Sequence, residues 1–489
     1  MLRAVKSVQA AVGTIDVVVI GSGPAGQRAA TYLAEHNRRV AIVGPLFSMG
    51  SIQLDLSTGA ALPYFTFREA VMHLSGQRQT AFYKDSDLAR PRIPLSRKAI
   101  QERIERVAVW ANETAVARLR AAGVQIVHGK ASFLDKNTLA VLNPEVSNQP
   151  ILLKAEQYII ATGSRNIDDE NIPYDGRRII NCDRLLQTLG WQIPKKPVII
   201  GATTQGVEYA STLASLTNVQ TTIIDSKTEI LPAVDDEMRE MLKRELQNKG
   251  TTFRLGDRVA TVAVNQQAET VCVTFNGGEQ ICGDLVIFAR NKFGNTQGLN
   301  LEAILGPGAL DDRGYIIVNE NMQSRQPHIY AVGNVIAHTG ISYLSSQQGM
   351  EAAMHIVGEC EKVRAFDTNL IPHTLNTIPL VSRVGPNERS LRESGREFVS
   401  GYADFNELAK GQMLQRKGVL KLNVCPRTRE LLAVHAIGTS ATELVHIGQA
   451  VMSNKGTVNA LINSVWNYPS FAEAYRVAAF SALAKCLKT

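Results

Sequence analysis

The sequence predicts an α/β protein: two Rossmann-like dinucleotide-binding units and a C-terminal α+β domain. Three observations carry that expectation. A β-branched strand near the N-terminus runs into a glycine-rich turn and then a helix, and the same order recurs farther along the chain. From Pro372 onward, strand-like and helical runs continue without a glycine-rich turn. The length of 489 residues suits about three domains.

Ile15 to Ile20 (Ile-Asp-Val-Val-Val-Ile) reads as a buried parallel strand and enters Gly21-Ser-Gly-Pro-Ala-Gly26 directly. Gln27 to His36 is a helix, and Arg39 to Val43 a second strand. In this strand-turn-helix context the G-x-G-x-x-G spacing makes a dinucleotide site. Gly21 allows the tight turn, Gly23 lets the backbone approach a pyrophosphate, and Gly26 permits close packing of helix on strand. Tyr158 to Gly163 is a strand ending in the small-residue turn Ala161-Thr162-Gly163. The second copy comprises the strand Lys196 to Ile200, the turn Gly201 to Gly206, the helix Val207 to Leu216 and the strand Gln220 to Ile224, closing at Asp225. Thr203 stands where the middle glycine would give a phosphate its close approach. Asp225 lies where an acid accepts hydrogen bonds from a ribose 2′-hydroxyl, which favours NAD over NADP; the alternative is a strand-end aspartate that begins a turn. Ile329 to Asn334 is a further apolar strand, and Val419 to Val424, Leu431 to Ile437, Ala441 to Met452 and Phe471 to Leu487 supply the strands and helices of the last domain.

Composition excludes several classes. Apolar residues make up 45% and charged residues 20%, the range of a folded globular protein. No stretch approaches the 18 or so apolar residues of a membrane-spanning helix. The net charge of +7 is spread along the chain without a nucleic-acid signature. Six cysteines lie far apart, with no metal-ligand spacing and no disulfide framework, which points to a reducing compartment. Segment 1–14 carries Arg3 and Lys6 and no acid, with Leu2, Val5, Val8 and Val12 at helical spacing. That is the pattern of a mitochondrial targeting segment, with a frayed, cytoplasmic N-terminus as the alternative.

These motifs resemble the two-dinucleotide flavoproteins, the pyridine nucleotide-disulfide oxidoreductase family. The resemblance runs over nearly the whole chain through Gly21 to Gly26, Ala161 to Gly163, Gly201 to Gly206 followed by Glu208, and Pro327 to Asn334. Within the family it is closest to the soluble pyridine nucleotide transhydrogenase branch, on Asn467-Tyr-Pro-Ser-Phe-Ala-Glu-Ala-Tyr-Arg476, Leu444 to Met452 and Gly294-Asn-Thr296. It implies an FAD domain over 15–165 and 293–366, an NAD(P) domain over 166–292, and an interface domain over 367–489 through which the chain forms a homodimer or a heterodimer. It also implies Gly21, Gly23, Gly26, Thr162, Gly163, Gly333 and Asn334 around FAD, and Gly201, Gly206, Glu208 and Asp225 around the nicotinamide nucleotide. No residue is implied as a metal ligand.

Against the family pattern, several chemistry-bearing positions differ. Gly44 follows Val43 where an acid would hold the FAD ribose. Leu56 and Ala61 replace the redox-active cysteines, which removes dithiol-disulfide chemistry. Phe65 replaces a lysine beside the flavin N5, Asn334 replaces an aspartate, and Tyr468, with Glu473, stands where disulfide reductases pair a histidine with a glutamate. Taken together the departures predict a catalytically impaired homologue, retained as a structural or assembly component of a larger complex. The alternative is an active FAD enzyme passing hydride between NADPH/NADP and NADH/NAD. Tyr64 to Phe67 is a candidate hydrophobic plug for a vacated flavin cavity, and Cys272 and Cys282 read as packed thiols. His73, His355, His373 and His446 read as core or surface residues.

Overall fold

The computed structural model describes residues 15–45, 47–49, 52–54, 61–74, 97–166, 171–186, 193–265, 267, 269–290, 292–337, 340–359 and 367–487. The targeting segment 1–14, Leu56 and Cys360 lie outside the described residues. By its internal contacts the chain divides into two compact units: 1–66 with 101–167 and 291–364, and 67–100 with 168–290 and 365–489.

In the first unit, the strand Ile15–Ile20 lies between Val40–Gly44 and Ile151–Ile160 in a parallel arrangement. Gln125–His128 pairs beyond Val40–Gly44, and Ile329–Ala331 pairs with the end of Ile151–Ile160. Thr138–Leu142 and Lys130–Asp135 extend the sheet antiparallel. Val17, Val18 and Val19 are all buried, so both faces of the central strand are covered. This is why its sequence is continuously apolar rather than alternating. One face is covered by the helices Pro24–Glu35 and Ser342–Val357. The two pack closely: a Cβ on Gly349 would lie 2.2 Å from the Ala25 carbonyl oxygen.

Among the described residues the second unit holds three sheets. A parallel sheet runs in the order Ile179–Asn181, Leu285–Phe288, Pro197–Ile200, Thr222–Asp225, Thr252–Leu255. Val259–Asn265, Thr270–Phe275 and Gln280–Gly283 form an antiparallel meander. In it Cys272 sits directly opposite Cys282 at a Cα separation of 4.1 Å, and the two are joined as a disulfide. The expectation of two packed thiols is therefore corrected. Their separation in sequence concealed a direct cross-strand pair, where side chains are closest.

The third sheet is antiparallel, in the order His373–Leu375, Val381–Val384, Leu431–Gly438, Gly418–Val424, Val399–Asp404. The helix Ala474–Cys486 packs on it through Ala474, Tyr475, Ala478, Ala479 and Ala482. Gly401 admits this approach, since a Cβ there would lie 2.1 Å from the Ala478 carbonyl oxygen. Buried Tyr475 donates to the Leu444 carbonyl (2.6 Å) and accepts from the Gly448 amide (3.0 Å), which satisfies its hydroxyl.

Candidate functional site

Strand pairing gathers three distant segments at one edge of the first unit. Ile20 pairs with Ile160 and Ile160 with Ala331, so the turns that follow these strands are neighbours. They are Gly21 to Gly26, Ala161 to Gly163 and Gly333-Asn334, at the carboxyl ends of parallel strands, where open α/β sheets bind ligands.

Gly21 has φ +113°, and a Cβ there would lie 2.3 Å from the Ala161 carbonyl oxygen. A Cβ on Gly26 would lie 1.9 Å from the Gly21 carbonyl oxygen. Both positions exclude side chains for reasons of packing. Gly23 differs: nothing lies within 4 Å of where its Cβ would be, so its face is open. It is the N-cap of Pro24–Glu35 without a side-chain cap, and Pro24 starts the helix. The result is a helix N-terminus approachable by a pyrophosphate. Gly163, at φ +74°, is open in the same way. The hydroxyl of Thr162 is buried and has no hydrogen-bond partner. A buried orphan hydroxyl beside two open glycines fits a polar ligand that supplies the missing bond, and FAD has the phosphates and hydroxyls to do so.

Two departures acquire a local reason. A Cβ at Gly44 would lie 3.0 Å from the Ser22 hydroxyl oxygen, so a side chain there is tight unless the serine gives way slightly. Asn334 accepts a hydrogen bond from Ser345 (3.3 Å) while the Gly333 amide donates to Gln348 (3.0 Å), so the turn is braced from the Ser342–Val357 helix. Ala61 begins the helix Ala61–Leu74, which carries Phe65. Phe65 is 38% exposed. Its neighbours Tyr64, Thr66 and Phe67 are buried.

In the second unit Gly201 and Gly206 repeat the packing of Gly21 and Gly26. Their Cβ atoms would lie 2.3 Å from the Ala289 oxygen and 1.9 Å from the Gly201 oxygen. Thr203 is the N-cap of the helix Thr204–Ala214. Its hydroxyl accepts from the Gly206 amide (3.2 Å) and donates to the Ala289 carbonyl (2.9 Å). The residue that looks like a lost glycine is thus a helix cap. Asp225 accepts from the Ala202 amide (2.6 Å) and the Lys227 amide (2.9 Å), which makes it the brace of the turn as well as the strand-end acid. Glu208 is turned away from any open surface: it is 7% exposed and accepts from the Asn376 amide at 2.7 Å. It ties the helix to the C-terminal part of the unit.

Tyr468 is 70% exposed. Glu473 pairs with Arg476 at 3.3 Å. His355 shares a 2.9 Å hydrogen bond with Tyr330, and His446 one of 2.8 Å with Gln449, as ordinary structural histidines do.

Sequence reasoning missed a row of side chains across the C-terminal sheet. His373 is opposite Arg383, Arg383 opposite His435, His435 opposite Lys421, and Lys421 opposite Tyr402. Lys421 is 1% exposed and its ammonium reaches Asp235 (3.0 Å), Glu237 (2.8 Å) and Glu388 (2.8 Å). Burial pulls its pKa down, but these carboxylates override that and hold it above the ordinary lysine value. Burial lowers His373 to about 4, with Arg383 adding to the effect. His435, fully buried, is likewise lowered to about 4.

Fold and site together define a protein with two dinucleotide-binding turns on separate parallel sheets and an α+β C-terminal domain. Residues 15–358 match the family model described as pyridine nucleotide-disulphide oxidoreductase, and residues 371–479 match its dimerisation domain. The chain belongs to the pyridine nucleotide-disulphide oxidoreductase family. It is 36% identical over 473 residues to the soluble pyridine nucleotide transhydrogenase of Mycobacterium bovis (strain BCG / Pasteur 1173P2), covering 96% of this chain and 97% of that one. To the enzyme of the same name from Marinobacter nauticus it is 33% identical, covering 96% and 98%. Among solved structures, LpdA from Mycobacterium tuberculosis superposes with a TM-score of 0.83 at 22% identity, covering 95% of this chain and 99% of that one. The HOCl-induced flavoprotein disulfide reductase RclA from Escherichia coli, as its Cu(II) complex, gives 0.81 at 21%, covering 96% and 99%.

Proposed function

We propose that the protein is an FAD-dependent oxidoreductase that passes hydride between nicotinamide dinucleotides without a redox-active disulfide. One observation carries the reading: the first glycine turn keeps an open cradle, with Gly23 and Gly163 clear and the Thr162 hydroxyl buried without a partner. A site fallen out of use has no reason to keep an orphan hydroxyl. The transhydrogenase relatives, matched over nearly the full chain, support the same reading.

Bound FAD would supply two-electron acceptance and return, the chemistry that no side chain provides. The chain's own residues do the rest. The helix N-terminus behind Gly23 offers amide dipoles to the pyrophosphate, Thr162 offers its hydroxyl, and Asn334 offers an amide in place of a charge. Thr203 and Asp225 hold the second turn, with Asp225 positioned for a ribose. Phe65 brings no charge to the place where the family has lysine, so transfer is expected to be slow.

A second reading, the impaired scaffold of a larger complex, draws on the departures at Gly44, Leu56, Ala61, Phe65, Thr203 and Asn334 taken together. Association through the C-terminal domain belongs to both readings, and exposed Val465, Phe480 and Leu487 supply apolar surface for it. The basic, acid-free segment 1–14 supports a mitochondrial location, which imaging of a C-terminal fluorescent fusion would check.

The deciding experiment is the visible spectrum of the purified protein after incubation with FAD and removal of the excess. It is followed by anaerobic bleaching with NADPH and reoxidation by NAD. Stoichiometric flavin that bleaches and recovers is the expected result. Absence of retained flavin overturns the proposal and leaves the scaffold reading.

A further inference from the structure

Leu56 and Ala61 stand where the family has its redox-active cysteines, yet a disulfide joins Cys272 to Cys282 in the antiparallel meander of the second unit. Strand alternation decides which way it faces. Val271, Val273 and Phe275 are buried in one core with Ile224 and Phe288, so Cys272 and Thr274, which alternate with them, point to the opposite side. Cys282 lies directly across from Cys272 and shares that side. Cys272 is half-buried and Cys282 is exposed.

Two features open the bond to attack. Gln280–Gly283 is an edge strand, with no strand on its far side among the described residues, so the Cys282 sulfur is approachable from beyond the edge of the sheet. The positions around the pair are small or uncharged. Ala263 faces Cys272 from the other neighbouring strand, and on the next cross-strand pair Gln280 donates to the Thr274 hydroxyl (3.0 Å). An anionic thiolate meets no carboxylate at these positions. A third feature separates the bond from a structural staple. It spans a sequence separation of 10 within a hairpin that four cross-strand pairs and the buried Val271, Val273 and Phe275 already hold. The cross-link therefore closes a short loop that the ladder closes without it, and opening it leaves core and ladder in place.

We propose that Cys272–Cys282 is a thiol–disulfide exchange site for small thiols, independent of the flavin. The thiolate of a small thiol attacks Sγ of Cys282 and bonds to it; the Cys272–Cys282 bond breaks, and its electron pair leaves on Cys272, which takes up a proton. A second thiolate attacks the small-molecule sulfur of this mixed disulfide, and Cys282 leaves and is protonated in turn. Two small thiols are thereby oxidised to one disulfide while the protein gains two thiols. A small disulfide drives the reverse. The state of the pair then follows the surrounding thiol pool.

The test incubates the whole oxidised protein with millimolar reduced glutathione, quenches in acid and maps the peptides by mass spectrometry. A mixed disulfide on Cys282 with a free thiol on Cys272 is expected. Its rate of formation should lie within about a hundredfold of that in the guanidinium-unfolded protein and stay within twofold when urea is added below the unfolding transition. Oxidised glutathione should then close the bond again. The proposal falls if the native rate is lower than this, or if it climbs with sub-denaturing urea, because the bond then opens only through unfolding. It falls too if glutathione attaches to Cys272 instead, or if both cysteines remain thiols in oxidised glutathione. Single variants check the entry point: with oxidised glutathione, Cys282 in Cys272→Ser should form the mixed disulfide severalfold faster than Cys272 does in Cys282→Ser, and equal rates overturn the assignment to Cys282. None of these readouts needs bound flavin, so the result stands apart from the hydride-transfer proposal.

Discussion

Replacing Lys421 by methionine removes a buried charge that three carboxylates, Asp235, Glu237 and Glu388, share. Lys421 and Asp235 are each 1% exposed, and Glu388 is 18% exposed, so water cannot take over the lost contacts at two of the three acids. Removing one partner of such a buried pair costs about 3–5 kcal/mol, because the remaining charge stays desolvated. The loss also has a direction with pH. Lysine holds Glu388 below its ordinary value, so this stabilisation is present above the unfolded carboxylate pKa and disappears as pH falls through the folded one. The deficit of Lys421→Met should therefore be largest near pH 7 and shrink on acidification, as the stranded carboxylates take up protons. Denaturant titrations of both proteins at several pH values, followed by near-ultraviolet circular dichroism, measure it. Adding Asp235→Asn should recover part of the loss. A deficit under about 1 kcal/mol at pH 7, or one that grows in acid, would refute the reasoning.

Other outcomes follow from the same geometry. Thr162→Val should leave the flavin-free protein as stable as before, since its hydroxyl has no partner, but weaken FAD binding by about 1 kcal/mol, read by FAD titration. Thr203→Ala should cost about 1 kcal/mol of stability and Thr203→Gly only a few tenths, because glycine is an acceptable N-cap and alanine is not; equal losses would mean that capping is not its role. His435, lowered to about 4 by burial and facing Asp235, Lys421 and Arg383, takes a proton later than the unfolded chain does as pH falls. Stability should then drop by about 3 kcal/mol between pH 6.5 and 4, and His435→Asn should flatten that part of the pH profile.

Elements with a strong local pattern were legible in the sequence. The strand Ile15–Ile20 falls where the β-branched run places it, and the helix begins at Pro24 rather than Gln27 because Gly23 serves as its N-cap. The glycines that must lack a Cβ were legible for the same reason: their spacing encodes a turn. What depended on register was not. The Cys272–Cys282 bond and the row from His373 to Tyr402 arise because the register of pairing sets particular residues opposite one another, within a hairpin for the cysteines and across four further strand pairs for the row. Periodicity reveals which face a residue takes, not its neighbour across the sheet. Thr203 and Glu208 show a related gap. Their residue types fit a nucleotide site, yet the structure uses the threonine as a cap and the glutamate as a tie to Asn376.

That tie has a consequence for how the chain could be cut or recombined. The Ser211 hydroxyl, fully buried on the same helix, accepts from the Ile378 amide at 2.7 Å, and Lys249 donates to the Ile378 carbonyl at 2.7 Å. A version ending before residue 367 would leave Glu208 and Ser211 facing solvent across a surface built to be covered. The C-terminal domain is thus the back wall of the second nucleotide unit as well as a surface for association. A chimera that exchanges one without the other would have to keep Glu208, Ser211 and Lys249 aligned with the backbone groups of residues 376 and 378, so the position of the chain there, more than its residue types, ties the two parts together.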